Sequence, residues 1–352
     1  MITLDNLDRI ELNITSLCNA ACPMCVRTLA GDQLELNSLP VTTFKNLLDQ
    51  LPTRTNIDFC GTTGDAMMHK DILEMFEIIQ EQGRKSDTHT NGGSRNVEFF
   101  KKLGKISAKS KGLMSVTFAI DGLEDTSALY RIDTNYNKVI ENAKSYINAG
   151  GDATWQYIIF EHNQHQVEQA EQMAISFGFK RFKSFPSIRF RLPEVKVRAS
   201  AYQKKINKNK SAMKLKTSEL VSPNQITHRK KTTQQLTQEQ HNDISCRTLE
   251  KNEIFVDEKG RVWPCCFWHS ETQSQSSIGF NEFYSDLLVK VGEDWNSLHH
   301  NKLQDILESY VFQDFLPNSF AKKIPKCVTC IAKCSTGKEM RNSAIADSKK
   351  IK

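Results

Sequence analysis

Three cysteines, Cys18, Cys22 and Cys25, are separated by three and then two residues. They follow Ile10-Glu11-Leu12-Asn13-Ile14, which alternates apolar and polar residues as a strand does. Three closely spaced thiolates on one loop can hold three irons of a cubane cluster, leaving the fourth iron open. Ferredoxin-type runs supply a fourth cysteine, which is missing here. The other chemistry open to a triplet is a zinc site completed by Cys or His from elsewhere. A second set lies near the C-terminus. Thirteen residues separate Cys246 from Gly260, four separate Gly260 from Cys265, and Cys327-Val328-Thr329-Cys330 follows. Four cysteines from two segments suit a closed cubane or a structural zinc. Cys266 adjoins Cys265 and reads as a buried thiol pointing elsewhere. Cys60, beside Gly61, reads as core, and Cys334 is a candidate replacement ligand.

The elements that must position these residues alternate in type. Strands are expected over residues 9–15, 56–60, 87–90, 113–120, 153–160 and 181–185. Helical spacing marks the stretch after Thr42 or Thr43, either of which can cap it, with Phe44, Leu47, Leu48 and Leu51 on one face and Pro52 as a stop. Further helices are expected over 71–82, 97–103, 139–149 and 166–177. Six strands alternating with helices argue for a parallel α/β architecture. In such folds chemistry sits at the carboxyl ends of the strands, where the first cysteine loop falls. Beyond residue 245, a hairpin is expected around Glu258-Lys259-Gly260, with helical stretches near 283–291 and 301–312.

The chain has 352 residues, of which 39% are hydrophobic and 25% charged, enough for a large domain and a smaller one. The formal charge of +6 is uneven. Residues 191–245 carry twelve Lys or Arg against four Asp or Glu, a net of +8, which leaves about −2 for the rest. That segment is polar and rich in Lys and Gln. It reads as a linker or insert, or as a basic surface for an acidic peptide or RNA. Ten cysteines in clusters favour metal binding in a reducing compartment over a secreted disulfide scaffold. No secretory signal and no apolar run of about 18 residues is present, so a soluble, cytoplasmic protein is expected.

Several strand-end motifs are in register with a known family. Gly61-Thr62-Thr63-Gly64-Asp65 follows the second strand, Thr90-Asn91-Gly92 the third, Asp121-Gly122 with Tyr130-Arg131 the fourth, and Glu161-His162-Asn163 the fifth. With the cysteine triplet, they resemble the radical S-adenosylmethionine (AdoMet) superfamily, SPASM/twitch subgroup, over essentially all of the chain except the basic segment. The resemblance implies a partial (β/α)6 TIM-type barrel over 1–190, a basic polar linker over 191–245 and a C-terminal twitch subdomain over 246–352. It implies that Cys18, Cys22 and Cys25 hold a 4Fe–4S cluster. Met24 stands where the family usually has an aromatic residue. Gly64 and Asp65 resemble the Gly-Gly-Glu segment that receives the AdoMet amino group, with Asp in the acid's place; alone, Asp65 also reads as a turn or helix-capping acid. Arg131 is implied as the partner of the AdoMet carboxylate, against the plainer reading of a surface salt bridge. Asn91 and Asn163 are implied at the AdoMet pocket, Asn163 near the ribose. His162 and His165 read as ordinary loop histidines.

By the same resemblance, Cys246, Cys265, Cys327 and Cys330 hold a second, auxiliary 4Fe–4S cluster. The implied activity is reductive cleavage of AdoMet to a 5′-deoxyadenosyl radical that abstracts hydrogen from a small molecule or peptide. The auxiliary cluster then takes an electron, for oxidation, dehydrogenation or rearrangement. A flavodoxin- or ferredoxin-type donor is implied as a partner. Neither a membrane nor a nucleic acid is expected, save for RNA through 191–245. The alternative is a non-catalytic iron–sulfur or zinc-binding interaction protein with a basic docking segment.

Overall fold

The computed structural model describes residues 1–187, 244–274, 278–320, 330, 334 and 349–350. The basic linker, save its last two residues, and Cys327 lie outside the described residues.

Six strands, β1 (Arg9–Leu12), β2 (Asn56–Phe59), β3 (Ser86–Thr90), β4 (Met114–Ala119), β5 (Asp152–Ile159) and β6 (Arg181–Pro186), pair in parallel in chain order. Between them run α1 (Val26–Ala30), α2 (Val41–Gln50), α3 (Ile72–Glu81), α4 (Val97–Lys109), α5 (Ser127–Tyr130), α6 (Tyr136–Asn148) and α7 (Val167–Ser176). The expected hairpin forms as β7 (Glu253–Val256) and β8 (Val262–Trp263), preceded by α8 (Arg247–Lys251). β7 pairs in parallel with β1, Arg9 opposite Glu253, so the hairpin extends the same sheet. The C-terminal helices are α9 (Cys266–Ser274), α10 (Ile278–Val291), α11 (Leu303–Leu307) and α12 (Leu316–Phe320), with a π-helical turn at Val311–Phe315. A two-residue β9 (Lys349–Lys350) pairs antiparallel with β6.

The two faces of the sheet differ in character. Register partners share a face because side chains alternate along each strand. Ile10, Leu12, Ile57, Phe59, Val116, Phe118, Trp155 and Phe182 fall on one face and are buried with helical residues such as Phe44, Phe76, Phe100 and Tyr146. Aromatic pairs such as Phe59–Phe76 (5.4 Å) and Phe118–Tyr146 (5.8 Å) knit this core, each ring contributing about 2–3 kcal/mol of burial. The other face is polar. Glu11, Asp58, Asp87 and Ser115 are successive register partners on it, joined by His89, Thr117, Gln156 and Lys183.

Element boundaries differ from expectation where a non-local contact decides. α2 starts after Pro40, which holds the extended N-cap, so Thr42 and Thr43 lie inside the helix and cap nothing. α4 runs to Lys109 rather than stopping near 103, because Ile106 and Ser107 are buried below Phe100 and Leu103. β1 stops at Leu12, after which Thr15 bridges to Ser38. Among the described residues no helix is long and apolar enough to cross a membrane.

Candidate active site at the strand ends

The cysteine loop is pinned on both sides before its thiols meet anything. The backbone N–H of Asp65 donates to Leu17 O (2.8 Å) and that of Ala21 to Ile132 O (3.0 Å). Below the loop, buried Ser16 bonds Glu35 O (3.0 Å) through its hydroxyl, and Arg27 Nε donates to Ser16 O (3.0 Å). Cys25 then begins α1. The three thiols gather under one apolar group: Cys22 is buried with Ala20, Tyr130 and Phe160, and Cys18, Met24, Cys25 and Ile158 pack against it. Met24 thus supplies apolar cover from the position before Cys25, beside the close pair Tyr130–Phe160 (4.5 Å).

Donors point at the sulfurs. Ala20 N (3.4 Å) and Asn91 Nδ2 (3.6 Å) donate to Cys18 Sγ, and Arg131 Nη1 (3.7 Å) to Cys22 Sγ. Such donors favour thiolate over thiol and tune a bound cluster. Burial, then the nearby Asp65 charge, pushes Cys18 up to about 12. Burial pushes Cys22 up to about 11 against the pull of Arg131. These thiols therefore hold their protons until a cation displaces them. Among the described residues no three Cys, His, Asp or Glu side chains already stand at metal-ligand spacing. The donor set, the N–H groups aimed at sulfur and the apolar cover fit an iron–sulfur cluster drawn in by three cysteines.

The segment after β2 presses on this loop. A Cβ on Gly64 would lie 2.0 Å from Thr15 O and 2.9 Å from Leu17 O, so only glycine permits the approach. Asp65 follows, 3% exposed. Its Oδ1 accepts from Met67 N (3.0 Å) and Thr90 Oγ1 (2.9 Å), and its Oδ2 from Asn91 N (2.7 Å). The capping reading is thus realised, and the carboxylate locks the tips of β2 and β3 together. Asn91 in turn bonds Asn19 Oδ1 (2.9 Å) as well as Cys18.

Arg131 is held by a buried acid just beyond the end of β4. Its Nε donates to Asp121 Oδ2 (2.7 Å), and Asp121, 0% exposed, also accepts from Ile158 N (2.7 Å). The acid is buried and the arginine largely so, unlike a surface bridge, and the pair aims the guanidinium at Cys22. The signal was the acid at a strand end ten residues before an arginine.

Asn163 lies just beyond the end of β5. Its side chain accepts from Phe160 N (2.7 Å) and donates to Ile158 O (3.1 Å), and the residue is fully buried. It shapes the β5 tip and positions Phe160. His162 lies flat on Phe160 (5.3 Å, 11°), with both ring nitrogens buried and, among the described residues, without a hydrogen-bond partner, and burial pushes it down to about 4. His165 is exposed.

The polar face of the sheet leads to these strand ends. Asp58 pairs with Arg9 (3.3 Å) and Asp87 with His89 (3.5 Å), while Ser115 donates to Asp87 (2.9 Å). Burial acts to raise Asp87, but His89 and Ser115 outweigh it and hold it at about 2. Glu11 reaches Arg247 of α8 (3.5 Å).

In the second cysteine set, Cys265 lies within electrostatic reach of Cys330 and Cys246, and burial raises all the thiols whose shift is resolved there. Cys330 is buried. Ser245 N donates to Cys334 O (3.2 Å), which puts Cys334 beside Cys246. Cys266, which acts on Cys265 more strongly than Cys330 or Cys246 does, also senses Glu11 and Arg247 and is pushed up to about 12 by burial. Cys60 is held within the same inner region by Thr62 (3.5 Å).

No protein-family model matches the chain. The Fe-coproporphyrin III synthase of Methanosarcina barkeri (strain Fusaro / DSM 804) is 29% identical over 119 residues, which is 34% of this chain and 28% of that protein. The match therefore spans less than a third of the relative's length. Among solved structures, Streptococcus suis SuiB bound to S-adenosylmethionine aligns with a TM-score of 0.54 at 13% identity, over 93% of this chain and 72% of SuiB. SuiB bound to its precursor peptide SuiA aligns at 0.50 and 14%, over 82% and 65%. Native anSMEcpe with bound AdoMet aligns at 0.53 and 15%, over 97% and 93%. These structures share the fold, a partial TIM-type barrel. The fold, the relative and the triplet at the end of β1 agree with the resemblance to the radical S-adenosylmethionine superfamily that the strand-end motifs carry.

Proposed function

We propose that this chain is a radical AdoMet enzyme acting on a polar substrate, a peptide or a small molecule, held against the polar face of its sheet. The observation that carries the reading is the convergence of Cys18, Cys22 and Cys25 under an apolar cover, with N–H donors aimed at two of the sulfurs. When bound, a 4Fe–4S cluster supplies the electron that cleaves the AdoMet sulfonium to a 5′-deoxyadenosyl radical. The protein's part is positional. Asn91 and Arg131 orient the loop and stabilise thiolate charge. Arg131, braced by Asp121, is placed to take the AdoMet carboxylate in a geometry lysine does not match. Gly64 and Asp65 hold the β2 tip against the loop, so the backbone there is fixed where the amino group must sit. Tyr130, Phe160, Met24 and Ile158 exclude water from the reacting end.

Cys246, Cys265 and Cys330, completed by Cys327 or Cys334, would hold an auxiliary cluster in a twitch subdomain and take an electron from the substrate. The fold of SuiB, seen with a precursor peptide, supports a peptide substrate, as does the charged lining of the sheet. A flavodoxin- or ferredoxin-type protein is the proposed donor, and the cytoplasm the proposed compartment.

The test is anaerobic reconstitution. The reading requires about eight irons per chain and 5′-deoxyadenosine on reduction with AdoMet. Replacing Cys18, Cys22 and Cys25 with alanine should abolish the nucleoside and remove about half of the iron. Absence of deoxyadenosine from fully loaded protein would overturn the reading.

A further inference from the structure

A chain of buried polar groups runs from the second cysteine set to the first. It starts on α9 at His269, fully buried, with its backbone N–H on Cys265 O (3.5 Å). Its ring stands 3.4 Å from Asp257 Oδ2 and 3.8 Å from Glu258 Oε2. Asp257 is satisfied within its own turn by Trp263 Nε1 (2.8 Å), Arg261 N (2.9 Å) and Lys259 N (2.9 Å). Glu258 faces the other way. Its Oε2 accepts from Asn13 Nδ2 (2.7 Å), 245 residues away in sequence. Asn13 Nδ2 also donates to Thr63 Oγ1 (2.6 Å), and Asn13 Oδ1 accepts from Thr63 N (3.2 Å). Thr63 leads directly into Gly64 and Asp65, whose contacts reach Leu17, Thr90 and Asn91, and Asn91 ends on Cys18 Sγ. None of Glu258, Asn13, Thr63, Asp65, Thr90 and Asn91 is more than 6% exposed.

Packing alone does not account for Glu258. It is 1% exposed, and among the described residues its Oε1 has no hydrogen-bond partner. A buried carboxylate with one oxygen unsatisfied destabilises a fold relative to an apolar side chain of the same size. What the acid does supply is a directional grip on Asn13, the residue at which β1 turns into the cysteine loop. It grips from a turn that also carries α9 and the second cysteine set.

We propose that Glu258 is a positioning residue for the AdoMet site: through Asn13 and Thr63 it sets how the Gly64–Asp65 corner meets the cysteine loop, and so makes AdoMet binding depend on the C-terminal cysteine unit. This rests on the proposed function for its ligand, but not for its geometry.

The test uses the reconstituted full chain and the variants Glu258→Ala, Glu258→Gln and Thr63→Val. Hydrogen exchange of the peptide covering 13–25 is read first, and AdoMet affinity second, from the AdoMet-induced change in the EPR spectrum of the reduced protein. In Glu258→Ala, exchange of 13–25 should quicken and the AdoMet Kd rise about tenfold, the equivalent of one lost charged hydrogen bond, with iron content unchanged. Glu258→Gln retains an oxygen for Asn13 and should stay within about twofold of wild type. Thr63→Val should shift both readouts in the same direction as Glu258→Ala, and decides the matter if that variant does not fold. Unaltered exchange and Kd in the folded variants overturn the proposal. So does a Gln variant as impaired as Ala, which would make charge rather than the hydrogen bond responsible. If wild type shows no AdoMet-induced spectral change, the proposed function fails, while the exchange measurement still decides the role of Glu258.

Discussion

Gly64→Ala tests whether the β2 tip truly seats the cysteine loop. The added Cβ would sit 2.0 Å from Thr15 O, 2.8 Å from Thr15 C and 2.9 Å from Leu17 O, all backbone atoms that no rotamer change can move. Restoring ordinary carbon contacts requires the two segments to part by roughly 1.5 Å. That parting strains or breaks the Asp65 N to Leu17 O bond, 2.8 Å long. Overpacking costs about 1–3 kcal/mol and the lost hydrogen bond about 1 kcal/mol, so the variant should be about 2–4 kcal/mol less stable. At about 2 °C per kcal/mol, the Tm of the cluster-free protein should fall by roughly 4–8 °C. The functional effect should be local. After reconstitution, about half of the iron should be lost and deoxyadenosine formation with it, while the iron of the second cysteine set stays. Gly83→Ala is the control: its glycine has φ +63° and nothing within 4 Å, so it should cost about 1 kcal/mol of backbone strain and leave iron content alone. A Gly64→Ala protein with normal iron, normal Tm and normal deoxyadenosine would refute the reasoning.

Other consequences follow from the same geometry. Arg131→Met leaves Asp121 buried without its cation and should destabilise the protein by about 3–5 kcal/mol in urea unfolding, whereas Arg131→Lys should retain more stability but bind AdoMet about tenfold more weakly. His162 has a folded pKa near 4, below its unfolded value, so the unfolded chain binds the extra proton. Its contribution is present above about pH 6.5 and is lost as pH falls toward 4. His162→Phe should therefore remove about 1–2 kcal/mol of acid sensitivity from denaturation curves in that window, the figure being reduced for the ring's partial exposure. Cys265→Ser or Cys330→Ser should lower iron by about four per chain while AdoMet cleavage persists; loss of cleavage together with that iron would contradict a separate auxiliary site.

Much of this architecture is legible in the linear chain, because strand alternation, helical spacing and Gly or Pro punctuation are local properties. The six strands, the hairpin at Gly260, the cysteine triplet and the polar turn after each strand all follow from neighbours within a few residues. Boundaries slipped where a distant partner decided them: Ile106 extends α4 through the core it enters, and Pro40 takes the cap from Thr42 and Thr43. The roles of buried polar side chains are a different matter. Asp65 and Asn163 read alike as polar groups at strand tips, yet each turns inward, one to Thr90 and Asn91, the other to Phe160 and Ile158. Arg131 reads as a ligand for a carboxylate, and the fold supplies Asp121 to brace it. That β7 lies beside β1, bringing Glu258 to Asn13 across 245 residues, has no local signature at all. The sequence by itself determined which residues are able to bind metal and on which strand ends they stand, since those depend on residue type and short-range periodicity. Only the tertiary structure decided which hydrogen bonds those residues make, because a buried donor or acceptor must take whatever partner the packed chain brings within about 3 Å.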